Sequence, residues 1–276
     1  MKRLNLKKTT YFLLITCLFT LEVTAQSPWK QLKGMNISRN VFALVPSKGK
    51  LYALGGENTT LLKSVEVYDP QLDTWAVKAD MPEPLSWSQG FEINGLIYLV
   101  CNQTFNFKWT KAVYVYNPSE NSWSRKSDMP VCTDYMKAVK IDNRIYVLTK
   151  SHLICYNSET DKWDTICPLD PSRSNDVTCI GEGRKIYSIG TEAESFDLDT
   201  KVWTKIKPMP TPRTGIGLVE LDKKIYSISG WIANSADWYS RNLECFDPIT
   251  GNWEIKSDLP PSKTHLPAYA VLDGKI

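Results

Sequence analysis

Histidine is scarce in this 276-residue chain, which contains two, His152 and His265. Neither lies at a spacing that would form a metal-binding pair, and no two cysteines have the CxxC spacing of a zinc or redox site. GxSxG, HExxH, P-loop and EF-hand patterns are also absent. These absences argue against common enzyme chemistries, so we expect no metal, no cofactor and no catalytic residue.

Long apolar runs are missing after residue 25. Residues 1–25 combine a basic head, an apolar run at 11–21 and the small residues Val23-Thr24-Ala25, which is typical of a signal peptide cleaved after Ala25. A signal anchor is the alternative, although the run is short for a membrane span of about 20 residues. We expect an exported protein, either secreted or in a bacterial periplasm or envelope, with no stable membrane span after cleavage.

An excess of positive charge is missing from the part that follows. Removing the four basic residues of the leader and Glu22 from the 33 Lys+Arg and 30 Asp+Glu leaves 29 of each. A nucleic-acid-binding face needs a surplus of positive charge. We therefore expect no nucleic-acid partner.

Six cysteines follow the leader, an even number that would suit disulfides in an oxidising compartment. Their positions in or beside predicted strands favour buried thiols instead.

A repeat of 40 to 50 residues occupies the rest of the chain. An aromatic residue and a Trp recur seven positions apart in five pairs: Tyr68/Trp75, Tyr116/Trp123, Tyr156/Trp163, Phe196/Trp203 and Phe246/Trp253. Before each pair lies a short apolar run with a central Tyr, preceded by a tight turn. The five central residues are Tyr52, Tyr98, Tyr146, Tyr187 and Tyr226. Each copy is therefore predicted to form four short antiparallel strands, with these aromatics as structural residues.

The run KLYALGG at 50–56, followed by Tyr68 and Trp75, resembles the kelch repeat. Gly55-Gly56 keeps the Gly doublet of that motif, two other copies keep one Gly each, and the second and third copies keep neither. The resemblance covers essentially residues 27–276. It implies an all-β fold, a six-bladed kelch β-propeller of four-stranded antiparallel blades with an incomplete sixth blade.

The blade boundaries follow from the repeat. Five blades are predicted at 34–80, 81–128, 129–168, 169–208 and 209–258. A partial sixth blade at 259–276 is expected to be completed by a strand at 27–32. We also expect the chain to be a truncated product whose native form runs about 20–30 residues further.

Basic residues recur 13 or 14 positions before the second-strand Tyr, at the predicted start of first strands. They are Arg39, Arg173, Arg213 and Lys263. Because first strands line the channel of a propeller, these side chains would ring one mouth and bind an acidic peptide or a carboxylate. Alternatively, each could bond loop carbonyls of the neighbouring blade. Leu85 and Thr133 replace them in the second and third blades.

The loops between second and third strands differ in length. From the second-strand Tyr to the third-strand aromatic there are 16, 18, 10, 9 and 20 residues in blades one to five. The long loops of blades two and five are rich in aromatics, namely Phe105, Phe107, Trp109, Trp231, Trp238 and Tyr239. Exposed aromatics often dominate interfaces, so these are predicted ligand-binding residues. Their alternative role is to fold down as lids on their own blades.

Three functions are compatible with this pattern. The first is an exported binding module for a protein or glycan. The second is an exported enzyme resembling sialic-acid mutarotases, for which Glu192, Glu194 and Arg213 would have to supply the acid, base and cation. The third is the substrate-binding domain of a kelch-like ubiquitin-ligase adaptor. A copper radical oxidase, known on a kelch-type propeller, is disfavoured by the lack of histidine ligands.

Overall fold

The computed structural model describes residues 29–100, 102–104, 108–132, 136–170, 177–232, 239–259 and 268–276. The chain divides into two compact units, residues 1–30 and 31–276. The strands described below all belong to the second unit.

Five antiparallel sheets of four strands follow one another along the chain. Blade one contains β1 (Ala43–Ser47), β2 (Lys50–Leu54), β3 (Val65–Asp69) and β4 (Thr74–Lys78). Blade two contains β5 (Gln89–Ile93), β6 (Leu96–Val100), β9 (Val113–Asn117) and β10 (Ser122–Lys126), with the small pair β7 (Gln103–Thr104) and β8 (Lys108–Trp109) in its long loop. Blade three contains β11 (Lys137–Ile141), β12 (Arg144–Leu148), β13 (His152–Asn157) and β14 (Lys162–Pro168). Blade four contains β15 (Val177–Glu182), β16 (Lys185–Gly190), β17 (Ala193–Asp197) and β18 (Val202–Lys205). Blade five contains β19 (Gly217–Leu221), β20 (Lys224–Ile228), β21 (Asn242–Asp247) and β22 (Asn252–Asp258).

The first strands of these blades are neighbours around a central channel, β1 beside β5, β5 beside β11, β11 beside β15 and β15 beside β19. The predicted all-β propeller of four-stranded antiparallel blades is therefore confirmed. Leu272 pairs with Lys275 across the Asp273-Gly274 turn, which is the start of the expected sixth-blade hairpin. Of the predicted closing strand, residues 27 and 28 lie outside the described residues, and residues 29–32 form no strand.

Two glycines of first strands, Gly181 and Gly217, lie at the crowded wall of the channel. A Cβ built on Gly217 would lie 1.9 Å from the ring of Tyr269, and one built on Gly181 would lie 2.5 Å from Ile141. Side chains at these places would overlap atoms of the adjacent blade. These glycines therefore allow close packing of adjacent blades.

The repeated aromatics form the predicted structural framework. Within each blade the third-strand aromatic packs on the Trp seven residues later, with ring centroids 5.0 to 5.2 Å apart. Second-strand tyrosines reach the next blade, and the rings of Tyr52 and Tyr116 lie 6.0 Å apart. Cys155 and Cys245 are buried thiols outside any disulfide, and burial raises the pKa of both.

A hydrogen-bonded clamp joins successive blades at their outer strands. In blade three, Asp161 accepts bonds from the Tyr156 hydroxyl (2.6 Å) and from the Ser127 backbone N–H of blade two (3.0 Å). The Trp163 indole donates to the Ser127 carbonyl at 2.9 Å. Asn121 joins blade two to blade one in the same way, by accepting from the Tyr116 hydroxyl and the Ala79 N–H. Asp73 of blade one accepts from the Tyr68 hydroxyl and from the N–H of Lys33, which precedes the blade. Blades four and five have Phe in place of the Tyr, and Lys201 and Gly251 in place of the acceptor, so the hydroxyl and its acceptor are lost together.

Replacing Asp161 with Ala should lower the free energy of unfolding by about 1–3 kcal/mol, because two donors lose their acceptor and because Ala adopts the left-handed backbone of this position (φ 55°) less readily than Asp. Asp161→Asn should retain most of the stability at pH 7, as Asn121 does in blade two. Burial opposes ionisation of Asp161, but the bonds from Tyr156 and Ser127 outweigh it and lower its pKa below 3.8. The unfolded chain therefore binds this proton more tightly, and the stabilisation present above about pH 4 is lost as the pH falls through the folded pKa.

Denaturant unfolding of both variants and of the wild type at pH 7 and pH 3.5 measures these terms. Asp161→Asn should show a smaller acid loss than the wild type. The exposed Asp164→Asn serves as the control for removing a charge nearby. Equal stability of Asp161→Ala and wild type at pH 7 would show that the clamp contributes nothing.

Candidate ligand-binding site

Arg39 precedes β1 and its side chain is fully buried. The guanidinium donates to the carbonyl oxygens of Gly55 and Ser64, both at 2.9 Å, and to the Glu66 carboxylate at 2.8 Å. Burial lowers the pKa of Arg39, and the bond to Glu66 opposes that shift. Glu66 also accepts bonds from the backbone N–H groups of residues 36 and 37. The pair is thus held inside blade one.

Arg213 has the same arrangement in blade five, and its side chain is also fully buried. It donates to the Glu244 carboxylate at 2.7 Å and to the carbonyl oxygens of Ser229 (2.6 Å) and Thr211 (2.9 Å). A carboxylate ligand would have to displace Glu244 from a site without solvent access. The same fact removes Arg213 as the cation of a sugar-acid enzyme.

The prediction that these two arginines ring a channel mouth and bind an acidic ligand is therefore wrong for Arg39 and Arg213. The alternative of bonds to a neighbouring blade is also wrong, because their carbonyl partners belong to the same blade. Arg173 and Lys263 lie outside the described residues. The sequence does contain a signal for the Arg–Glu pairing. Among the five complete blades, each one that has the repeated Arg also has a Glu two residues before its third-strand aromatic: Glu66, Glu194 and Glu244. Blades two and three, which lack the Arg, have Tyr114 and Ile154 there.

A cavity of about 710 Å³ opens at the end of the channel where the first strands begin. Its volume is within the range of about 300–1,000 Å³ that is usual for ligand sites. The walls come from the starts of the first strands and from the long loop of blade two. The aromatic lining residues are Phe42, Trp87, Phe91, Trp109 and Tyr269.

The long loops of blades one, two and five continue the sheet above this cavity. In each, the residue five positions after the second-strand Tyr pairs with the residue three positions before the first strand: Glu57 with Asn40, Gln103 with Ser86 and Trp231 with Thr214. The paired residues exchange two backbone hydrogen bonds of 2.7 to 3.1 Å. The three loops are thus anchored at equivalent places. We call each of these pairings between a long loop and the start of its blade a loop ladder. The three long loops, together with Asn40, Ser86 and Thr214, form what we call the loop rim.

Aromatic residues of the loop rim differ in exposure. Trp231 is 42% exposed and pairs with Tyr239, which is 38% exposed. Trp109 is partly buried, lines the cavity and packs on the core between blades two and three, and its predicted role in ligand binding stays a prediction. Phe105, Phe107 and Trp238 lie outside the described residues. The structure thus brings Trp109 to the cavity and places Trp231 and Tyr239 on the rim of blade five.

Trp87 is a cavity residue that the sequence did not reveal. It is 41% exposed and has a φ of 53°, and its N–H donates to the carbonyl of Val41 at 2.8 Å. Val41 has a φ of 47°, and the equivalent residue of blade five is Gly215 with a φ of 62°. Left-handed backbone is costly for Val and Trp, and such strain concentrates at functional sites. Val41, Trp87 and Gly215 share a position 11 residues before the second-strand Tyr. The sequence does not mark this position as special, because a different residue type occupies it in every blade.

The described lining carries little charge. Lys137 is its one ionic side chain among the described residues. Burial raises the pKa of Tyr269, so its hydroxyl stays protonated at neutral pH. The side chain of Gln89 is already hydrogen-bonded to the backbone of blade three. Its amide N–H donates to the Met136 carbonyl, and its amide oxygen accepts from the Ala138 N–H. The described lining therefore suits apolar and aromatic groups and offers an anion one cation, Lys137.

Neither a metal-binding cluster nor a membrane-spanning helix occurs among the described residues. No group of three or more His, Cys, Asp or Glu side chains within the described ranges could hold a metal ion. In that part of the chain there is also no helix of sufficient length and apolarity to cross a bilayer.

Comparisons with known proteins agree with this architecture. The Kelch motif matches residues 39–82. Kelch-like protein 26 of Danio rerio is 24% identical over 85% of this chain and 34% of its own length, and Kelch-like protein 35 of Mus musculus is 30% identical over 84% and 33%. The chain thus spans about a third of the length of the curated relatives it matches. A solved structure, described as the structure of YjhT, aligns with a TM-score of 0.69 at 14% identity and covers 83% of this chain and 86% of that chain.

Four-stranded blades around a channel, with loops gathered at one mouth, define the class as a β-propeller. The chain belongs to the kelch-repeat family of β-propellers. Propeller domains of this family are typically binding modules, and protein binding is the role that the family implies.

Proposed function

We propose that this chain is an exported binding module that takes a protein segment at the loop rim and the channel mouth beneath it. The observation that carries the proposal is the aromatic cavity of about 710 Å³ lined in part by exposed Trp87, with exposed Trp231 on the loop rim of blade five. Trp and Tyr are the residues that most often dominate protein interfaces.

Export is supported by the leader pattern of residues 1–25. Sequencing the N-terminus of the protein recovered from its host should find Gln26 as the first residue. A protein that retains Met1 in the cytosol would instead favour the intracellular adaptor alternative.

The binding face can be tested with matched alanine variants. The purified protein is selected against a phage-displayed library of random 16-residue peptides, and the enriched peptides are measured by fluorescence anisotropy. Trp231→Ala with Tyr239→Ala should weaken binding at least about tenfold, because the pair forms the exposed part of the rim in blade five. The control is Leu72→Ala with Ile249→Ala, two exposed residues in turns on the opposite face, which should leave binding within about twofold.

Two results would contradict the proposal. One is a library that yields no enriched peptide on the wild-type protein. The other is equal loss of binding in the rim variant and the opposite-face variant.

A further inference from the structure

We infer that the channel mouth binds an uncharged aromatic or aliphatic side chain of the bound segment. This side chain packs on Trp87, and a neighbouring backbone group of the segment hydrogen-bonds to Ser88. The mouth does not recognise an acidic motif. This inference rests on the proposed function and specifies the chemistry of its ligand. Three independent observations support it.

The first observation is the neutralisation of positive charge near the channel. Arg39 and Arg213 are the described members of the repeated basic set, and the guanidinium of each forms an ion pair with a buried Glu of its own blade. A buried ion pair presents almost no net charge to a ligand. In the described lining this leaves Lys137 to face an acidic group. An acidic peptide would thus lose its hydration and gain one cation.

The second observation is the strained backbone beneath Trp87. Val41 and Trp87 both have left-handed backbone and are joined by a 2.8 Å hydrogen bond across blades one and two. A Gly or Asn would adopt this conformation at lower cost. The conformation instead holds a large indole at the edge of the cavity, where it offers flat apolar surface. Trp87 is therefore positioned as the anchor for an apolar side chain.

The third observation is the hydroxyl of Ser88, which is 8% exposed and lines the cavity. Its Oγ has no hydrogen-bond partner in the described part of the chain. A buried hydroxyl without a partner is destabilising unless a ligand supplies one. A peptide N–H or C=O that enters with the apolar side chain would satisfy it without bringing charge.

The test uses the peptide most enriched by the wild-type protein and three variants of the full chain. Trp87→Asn removes the indole and keeps a residue that tolerates left-handed backbone, so its thermal midpoint should be equal or higher while affinity falls at least about tenfold. Ser88→Ala should weaken binding about two- to tenfold. Lys137→Gln should change affinity less than about twofold, since the ligand carries no charge to pair with it. In the peptide, replacing one aromatic or aliphatic residue by Ala should abolish binding.

The outcomes separate this inference from the proposed function. Enriched peptides with clustered Asp or Glu, lost on Lys137→Gln and unaffected by Trp87→Asn, would overturn the inference. Peptides that bind through Trp231 and Tyr239 and ignore Trp87 would also overturn it, and both results would leave the proposed function intact. A wild-type protein that enriches no peptide would remove both.

Discussion

Replacing Arg213 with Met should lower the free energy of unfolding by about 3–5 kcal/mol, because Glu244 would remain buried without its cation. Both side chains are fully inaccessible, and among the described residues Arg213 is the only donor to the Glu244 carboxylate. Met fills similar volume, so the loss reports the uncompensated charge more than a cavity. Urea unfolding at pH 7, with the slope compared between variants, measures it.

Blade one supplies an internal control for this effect. Arg39→Met also leaves a buried carboxylate, but Glu66 keeps two backbone donors, at 3.0 and 3.2 Å, from residues 36 and 37. Hydrogen bonds to the charged form of a carboxylate stabilise it. Arg39→Met should therefore cost less than Arg213→Met. The reverse order would show that local donors do not decide the penalty.

A second control follows from the blades that lack the pair. At the Arg position blade two has the fully buried Leu85, and at the Glu position blade three has the buried Ile154. Replacing a buried ion pair by apolar residues of similar volume is often close to neutral. Arg213→Leu combined with Glu244→Ile should thus recover most of the stability lost by either single change. A double variant as unstable as the sum of the singles would refute the buried-charge explanation.

Much of the fold could be predicted from the sequence because each blade is built by the same contacts. The Tyr-to-Trp spacing of seven residues corresponds to one ring contact, as in Tyr156 with Trp163, and five copies of it leave little choice of architecture. The short loops of blades three and four and the long ones elsewhere were likewise visible as spacings. Residues that repeat in every blade are the ones that the fold of a blade requires, so repetition identifies structural residues.

The candidate site was less predictable for the same reason. The arginines were found because they repeat, but a repeated position does not tell whether a guanidinium points to the channel or into its own blade. The Glu two residues before the third-strand aromatic decides this, and it becomes informative only when its co-occurrence with Arg is noticed. Trp87 was missed because its importance lies in a backbone conformation that it shares with Val41 and Gly215, not in residue type.

The Gly doublet of blade one connects the repeat to the site. Gly56 donates its N–H to the carbonyl of Leu85 in blade two at 2.8 Å, two residues before Trp87. A Cβ built on Gly55 would lie 2.4 Å from that same carbonyl oxygen. The glycines thus let the end of β2 approach the next blade at the place where the channel mouth is formed. The Gly doublet of the kelch motif is thus linked to the candidate site by its close contacts with the carbonyl group of Leu85.

Gly56→Ala should therefore lower the free energy of unfolding by about 2–5 kcal/mol, the sum of left-handed strain and overpacking. Gly56 has a φ of 91°, and its added Cβ would lie 2.5 Å from the carbonyl oxygen of Asn40, which cannot move without breaking the loop ladder of blade one. Gly251→Ala is the matched control, since Gly251 has a φ of 67° and nothing within 4 Å of its Cβ position. That variant should lose only the strain of about 1–2 kcal/mol. Urea unfolding of the two variants side by side decides the matter, and equal losses would show that Gly56 is required for its backbone angle alone and not for its close approach to Asn40 in the loop ladder of blade one.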